Sequence, residues 1–537
     1  MKKIINFFSQ EYVFILLVSF VLIIISFAPT IYEAFQTGRL GDSRRVMLWG
    51  EHNYTYDYNV YLAKMRQGAE GRWTVINKYT SEPNSGVLLQ EFYLISGKIG
   101  HWLGLTPAIA YQIMRLILGF AFLLVIYQLI ACFLKNSWLR KVAFLLSAIS
   151  AGFPGFGFWQ GSWHPLIWFG WWQEVDVIKR ATYVPHYLLG HILTVLTLLF
   201  LLKSNSQPAK RYLLYAIIAG ALAGFIHPPS LLIVWGIWGF WTLFNFNLKN
   251  AIRGIIFVFV TSLPLLYINK VTAVYPWKTL VDFTRSVTWA YSFKEYCLSL
   301  GMTLVLGTIA AVKIIYQRQK NYLPLVFWLL VVPLGMVFFK LTKLFSDTYF
   351  MQVAIQIPLA ILSALLLVKI SPKFRNWAVL GVLLISAPTW YASLSGQFQF
   401  VNQRTAAVMP LVPYPSQVMY PLKDWWQGIK WLESNTPRDA VVLSAVTAGN
   451  YIPAYAGNTV YFGHQSETVK FNDKKLLVDA FFAGTTKEKE AREFLKQGRI
   501  SYVFYGPQEK EQGNFRPFSF LISVYQSEYA TIYQVVY

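Results

Sequence analysis

The chain has 537 residues, of which 55% are hydrophobic and 13% charged, with a formal net charge of +22. Soluble domains run at about 45–50% apolar and about 25% charged, so this composition excludes an ordinary soluble protein and points to a polytopic α-helical membrane protein. A positive excess of this size would suit a nucleic-acid partner, but its confinement to short connections between apolar runs excludes that partner and marks membrane topology instead.

The first apolar run, 12–31, has the roughly 20 residues needed to cross a bilayer core. It is too long for the apolar core of a signal peptide and no small-residue cleavage site follows, so it reads as an uncleaved anchor. Further spans read near 108–134, 141–159, 185–202, 212–226, 229–247, 254–268, 295–312, 322–339, 347–368 and 377–396, which makes about 11 transmembrane helices. The leading MKK and the connections 135–141, 203–211, 248–253, 313–320 and 369–376 carry sixteen Lys and Arg and no Asp or Glu. By the positive-inside rule these face the cytoplasm, in unbroken alternation. The loops 32–107, 160–184 and 269–294, and everything after about 397, then lie outside, together with all seven histidines. A multi-pass plasma-membrane protein with a cytoplasmic N-terminus follows. Cys132 and Cys297 fall near opposite ends of the membrane and cannot pair.

Within the first outer loop Tyr58, Tyr61, Leu62 and Met65 recur at helical spacing, and LLQEFYLISGKIGHWLG resumes that pattern after GRW and SEPNSG. The loop therefore predicts a pair of amphipathic helices lying at the interface. Asp57 opens the first of them. Aspartate is a favoured helix N-cap, and a fixed carboxylate at this depth also suits a general base acting on an acceptor hydroxyl. The two roles are compatible.

Three further sets of residues stand out. Arg115 sits inside the outer end of a span, where a charge is costly and is a functional candidate by default. Lys340 and Lys343 lie in a very short outer loop, against the charge trend, and Arg180 follows Lys179 in the loop 160–184; snorkelling to headgroups is the competing account of the lysines. Glu174 and Asp176, two apart in that same loop and close to His186, form an acidic pair that equally balances Lys179 and Arg180. The tail from 421 carries thirteen Lys and Arg against twelve Asp and Glu. Its runs WWQGIKWLES, AVVLSAV, TVYFG, KKLLVDAFFAG, KEKEAREFLKQG and ISYVFYGP alternate helix and strand, predicting a small α/β sandwich over 421–537 without a nucleotide-binding fingerprint.

The run DYNVYLAKMRQGAEGRW, the later HWLGL and Arg115 together resemble the first outer loop of the GT-C glycosyltransferases, integral membrane enzymes that include the protein O-mannosyltransferases and the lipid A aminoarabinose transferase. The resemblance implies a GT-C like transmembrane domain over 1–400, including the loop 32–107, and an extracytoplasmic C-terminal domain. It implies Asp57 as catalytic base and a donor sugar carried on a polyprenyl phosphate or pyrophosphate. Arg115, Lys340, Lys343 and Arg180 would then meet the donor phosphate. Tyr58 stands where that family often has a second acid. Resemblance to the oligosaccharyltransferase branch would make Glu174 and Asp176, with His186, ligands for Mg²⁺ or Mn²⁺, which favour oxygen donors. One displacement by an acceptor (lipid, glycan or protein) would invert the anomeric carbon. A polytopic lipid or polysaccharide transporter or flippase is the alternative, separated from a transferase by turnover.

Overall fold

The computed structural model describes residues 10–36, 41, 43–48, 55–159, 161–168, 175–206, 210–286, 292–344, 346–351, 354–406 and 420–537. The chain divides into two compact units, the first comprising 1–31, 113–267 and 287–399 and the second 32–112, 268–286 and 400–537.

Among the described residues eight helices are long and apolar enough to cross a membrane: Gln10–Phe35, Pro107–Phe133, Pro185–Asn205, Leu248–Val271, Phe293–Tyr316, Lys320–Thr342, Asp347–Leu367 and Pro372–Thr405. Three of the eleven expected spans fall instead on shorter helices, Ser137–Ile149, Lys210–Ile226 and Pro228–Phe244, of 13, 17 and 17 residues. The expected span 141–159 is only half helix. Beyond Ser150 the chain turns extended, and β1 (Gly155–Trp159) pairs antiparallel with β2 (Ser162–Leu166). The reason is local: Pro154 lacks an N–H for a helix, and the alternation of Gly155, Phe156, Gly157 and Phe158 has the period of a strand.

In the first unit the helix Gln356–Leu367 is buried along nearly its whole length, packed by Phe293–Tyr316, Leu323–Thr342 and Ser137–Ile149. Side chains such as Leu17, Phe20, Ile255 and Phe259 point outward instead, as lipid-facing residues do. Helix Phe293–Tyr316 kinks at Gly301 (φ 61°), where a Cβ would lie 2.1 Å from the Ala151 carbonyl oxygen. An ion pair in which Arg140 Nε and Nη2 reach the two Glu11 oxygens, each at 2.6 Å, ties Ser137–Ile149 to the first helix.

In the second unit the helices Thr55–Ala69 and Glu91–Trp102 cross at glycines. A Cβ on Gly68 would sit 1.8 Å from the Leu94 carbonyl oxygen, and one on Gly97 1.8 Å from that of Met65. Helix Val446–Tyr455 packs on Thr55–Ala69 as well, so Tyr58, Asn59, Leu62, Lys64, Met65 and Gln67 are all buried. The expected one-sided amphipathic helix does not form over this segment, because two neighbours cover it rather than one. The tail builds a five-stranded sheet from β3 (Val441–Leu443), β4 (Thr459–Val460), β5 (Ile500–Tyr505), β6 (Leu521–Gln526) and β7 (Thr531–Val535), in the order β4-β3-β5-β7-β6. β3 runs parallel to β4 and β5, whereas β7 is antiparallel to β5 and β6. Helices Phe471–Phe482 and Glu488–Gln497 bring Phe481, Phe482 and Leu495 onto Leu443 and Val503 of the sheet.

The crossing yields a direct test. Replacing a helical glycine by alanine ordinarily stabilises by up to about 1 kcal/mol, but Gly97→Ala drives a methyl into backbone and is expected to cost about 1–3 kcal/mol. Gly239→Ala, with no atom within 4 Å of the new methyl, is the control and should leave the thermal midpoint unchanged or raise it.

Candidate functional site

Asp57 lies in the first turn of helix Thr55–Ala69, at its third residue and so three positions past the N-cap. A carboxylate there faces the positive end of the helix dipole. Its Oδ1 is 3.1 Å from Nε2 of His464, a residue of the tail. The pair is asymmetric in exposure: the His464 side chain is 4% exposed and that of Asp57 50%. One carboxylate oxygen is thus held from the protein side while half of the side chain meets solvent.

The imidazole tautomer follows from its other nitrogen. The backbone N–H of Ser466 donates to His464 Nδ1 at 3.3 Å, and the Ser466 hydroxyl lies 3.1 Å from the same atom. A backbone N–H can only donate, so Nδ1 carries a lone pair and the neutral ring has its proton on Nε2, where it donates to Asp57. The ring is clamped face to face by Tyr56, with centroids 4.1 Å apart, and edge-on by Tyr79 at 5.9 Å. Tyr56 in turn accepts the Gln465 backbone N–H at 3.0 Å, and burial raises its phenol well above the ordinary tyrosine value.

The turn that carries His464 is fastened to the first loop by several bonds. Lys64 Nζ meets Glu467 Oε1 at 2.7 Å, both side chains shielded from solvent, and also donates to Gln90. Asn77 Nδ2 donates to the Glu467 carbonyl at 2.8 Å, and the Thr468 hydroxyl donates to the Tyr79 carbonyl at 2.8 Å. On the other flank Asn450 accepts from Asn59 Nδ2 at 2.8 Å and donates to the Tyr56 carbonyl at 3.0 Å. A second carboxylate of the loop, Glu91, is pushed up to about 7 by burial, and its Oε1 is enclosed without a hydrogen-bond partner. Of the two acids, Asp57 is the more exposed.

The remaining sequence candidates belong to the first unit. Arg115 is buried, with Nε and Nη2 donating to the Thr182 carbonyl at 2.8 and 2.7 Å, and its guanidinium lies over the Phe27 ring. Arg180 is buried too, with Nη1 donating to the carbonyls of Ser147 and Ser150 at 3.1 and 3.2 Å. Asp176 accepts the Ile178 N–H at 3.0 Å and the Ser393 hydroxyl on Oδ1, while Lys179 Nζ lies 3.7 Å from Oδ2. Arg180 and Asp176 thus lie on one loop, 175–184, which Arg115 reaches from helix Pro107–Phe133, and the three fasten that loop to the helices around it. Lys340 and Lys343 are exposed at the end of helix Leu323–Thr342, where cations complement the dipole; Lys343 closes it in a left-handed conformation (φ 53°). His186 is half-buried beside Tyr187, ring centroids 4.4 Å apart. Glu174 lies outside the described residues. Among the described residues no three His, Cys, Asp or Glu side chains gather as a metal site, and Asp176 has its oxygens engaged by protein groups, so the described residues do not supply a donor set for Mg²⁺ or Mn²⁺.

His464 and Ser466 went unmarked in the sequence. The signal available was weak: one histidine among seven, in a nearly neutral tail.

Neither a family model nor a curated protein sequence matches the chain. Solved structures do. The archaeal oligosaccharyltransferase AglB from Archaeoglobus fulgidus, in complex with an inhibitory peptide and a dolichol-phosphate, superposes with TM-score 0.54 at 13% identity, over 91% of this chain and 69% of that one. An Archaeoglobus fulgidus oligosaccharyltransferase in a complex with Zn and sulfate matches similarly, at TM-score 0.54 and 15% identity over 92% of this chain and 68% of that one. ArnT from Cupriavidus metallidurans, bound to undecaprenyl phosphate, matches at TM-score 0.51 and 11% identity over 97% of both chains. The mycobacterial arabinofuranosyltransferase AftD matches at 0.54 and 12% over 98% of this chain and 41% of its own. The chain has the fold of the GT-C membrane glycosyltransferases.

Two outcomes follow from the geometry. Lys64→Met strands the Glu467 carboxylate and should cost about 3–5 kcal/mol, whereas Lys64→Met combined with Glu467→Leu should recover most of that loss; chemical denaturation of both variants checks it. Because Glu91 keeps in the folded state a proton that the unfolded chain releases between pH 4.5 and about 7, its contribution to stability falls as pH rises through that window. The advantage of Glu91→Gln over wild type in thermal midpoint should therefore grow from pH 5 to pH 8, and a pH-independent difference would contradict the assignment.

Proposed function

We propose that the protein is a GT-C glycosyltransferase that moves a sugar from a polyprenyl-phosphate carrier to an acceptor hydroxyl on the extracytoplasmic side, with Asp57 as general base. The observation that carries this reading is a half-exposed carboxylate, oriented by a buried histidine, on a chain with the GT-C fold. The neighbours with bound dolichol-phosphate and undecaprenyl phosphate support the class of donor, and the unbroken alternation of cationic connections supports the sidedness.

Asp57 takes the acceptor proton as the acceptor oxygen attacks the anomeric carbon; the bond from that carbon to the phosphate oxygen breaks, and the carrier phosphate leaves with the electron pair. A single displacement inverts the anomeric centre, by the same opposition of faces that governs inverting hydrolases. His464 is a positioning residue: its Nε2–H fixes one carboxylate oxygen and leaves the second for the acceptor. Neutralising the departing phosphate falls to the cations of the outer side, Arg115, Arg180, Lys340 and Lys343, of which the two lysines are exposed.

Release of free polyprenyl phosphate from lipid-linked sugars in proteoliposomes, with a mixed acceptor extract, tests the scheme. Asp57→Asn should lower turnover by about 10²–10⁴-fold, the range expected for a general base. His464→Phe should lower kcat by about 10²-fold through misplacement, while His464→Gln, whose amide N–H donates from a comparable place, should keep most of it. Turnover by Asp57→Asn at the wild-type rate would refute the base, and equal loss in both His464 variants would reduce that residue to a structural role.

A further inference from the structure

We propose that the first unit carries a separate binding site for the headgroup of an anionic phospholipid, at the helix ends that the charge pattern places on the cytoplasmic side. A cavity of about 600 Å³ there is rimmed by Lys313, Arg318, Lys320 and Lys369 and floored by Ala310 and Ile314, with no acidic side chain in its lining. Its walls come from the last turns of Phe293–Tyr316, the turn that follows, the end of Gln356–Leu367 and Leu139. These walls belong to three of the cationic connections, 135–141, 313–320 and 369–376, that the charge pattern places on the cytoplasmic side.

The positive-inside rule accounts for cations at these helix ends but not for four of them around one hollow, where they repel one another unless an anion sits between. The backbone adds an independent observation. Helix Phe293–Tyr316 closes with Arg318 N–H bonded to the Ile315 carbonyl and Gln319 N–H to the Ile314 carbonyl, each at 3.0 Å. This is the paired closure in which the residue after the cap is left-handed and usually glycine. Here that residue is Arg318, at φ 51°, a conformation unfavourable for an L side chain. Arg318 lines the cavity, and guanidinium is the group best suited to grip a phosphate through two hydrogen bonds.

Val312 and Ile315, on the same turns of the helix, are exposed and apolar. A ligand held here by its phosphate lies beside hydrocarbon-facing surface, which matches a phospholipid with its acyl chains along the helix rather than a free anion. Basic pockets between transmembrane helices on the cytoplasmic side recognise anionic headgroups by this chemistry.

Native mass spectrometry of the purified full-length protein, supplied with phosphatidylglycerol or phosphatidylcholine, tests the site. Wild type should retain phosphatidylglycerol in preference to phosphatidylcholine, and joint replacement of Lys313, Arg318, Lys320 and Lys369 by Gln should lower that retention by at least about tenfold. Joint replacement of Lys203, Lys210, Arg211 and Lys249 by Gln removes the same charge from other cationic connections and should leave retention unchanged. Arg318→Gly should weaken retention while leaving the thermal midpoint equal or higher, which separates binding from folding. Retention that survives the first set, or falls equally with the second, overturns the proposal. Displacement of the lipid by millimolar inorganic phosphate would also overturn it, in favour of a free-anion site.

Discussion

A lysine and a glutamate meeting at 2.7 Å, both shielded from water, hold the candidate site together. Removing two charges from solvent is costly, and their close contact offsets part of that cost. Lys64 also donates to Gln90 and the Glu467 backbone carbonyl accepts from Asn77, while Glu467 Oε2 is enclosed without a hydrogen-bond partner. The pair fixes the turn 464–468 against the first loop, and this turn sets the height and rotation of the His464 ring. Tyr56 and Tyr79 then limit what the ring can do. The orientation of Asp57 is therefore decided by an ion pair that touches neither residue of the dyad.

Around this point the two units show different solutions to burying charge. In the second, charges are paired with charges, as in Lys64 with Glu467 and Lys474 with Glu82 at 2.7 Å. In the first, beside the ion pair of Arg140 with Glu11, the buried guanidinium groups of Arg115 and Arg180 also donate to backbone carbonyls, of Thr182 in a loop and of Ser147 and Ser150 at the end of helix Ser137–Ile149. A carbonyl is a weaker partner than a carboxylate, but it needs no second charge to be desolvated.

Much of this was legible from residue order. The alternation of cationic connections and apolar runs located the long helices, and Asp57 stood out because an acid follows so soon after an apolar run. The tail's strand 500–505 was legible as ISYVFY, β-branched and aromatic in a tight run. Helix Val446–Tyr455 was not, since Gly449 and Pro453 both argue against a helix locally and packing against Thr55–Ala69 overrides them. The stretch 155–166 misled in the opposite sense, apolar enough for a span yet with the period of a strand. His464 was hidden for a different reason: its importance comes from a neighbour 407 positions away, and no local pattern encodes a partner at that distance.

The same separation ties chemistry to the order of synthesis. Asp57 is made and folded into its helix hundreds of residues before the imidazole that orients it exists, and contacts of such long range form late because the intervening loop must close first. A chain whose tail is not yet made carries the Asp57 carboxylate without its imidazole partner. Only when the tail has been made and locked by Lys64 and Glu467 does that carboxylate acquire a fixed direction.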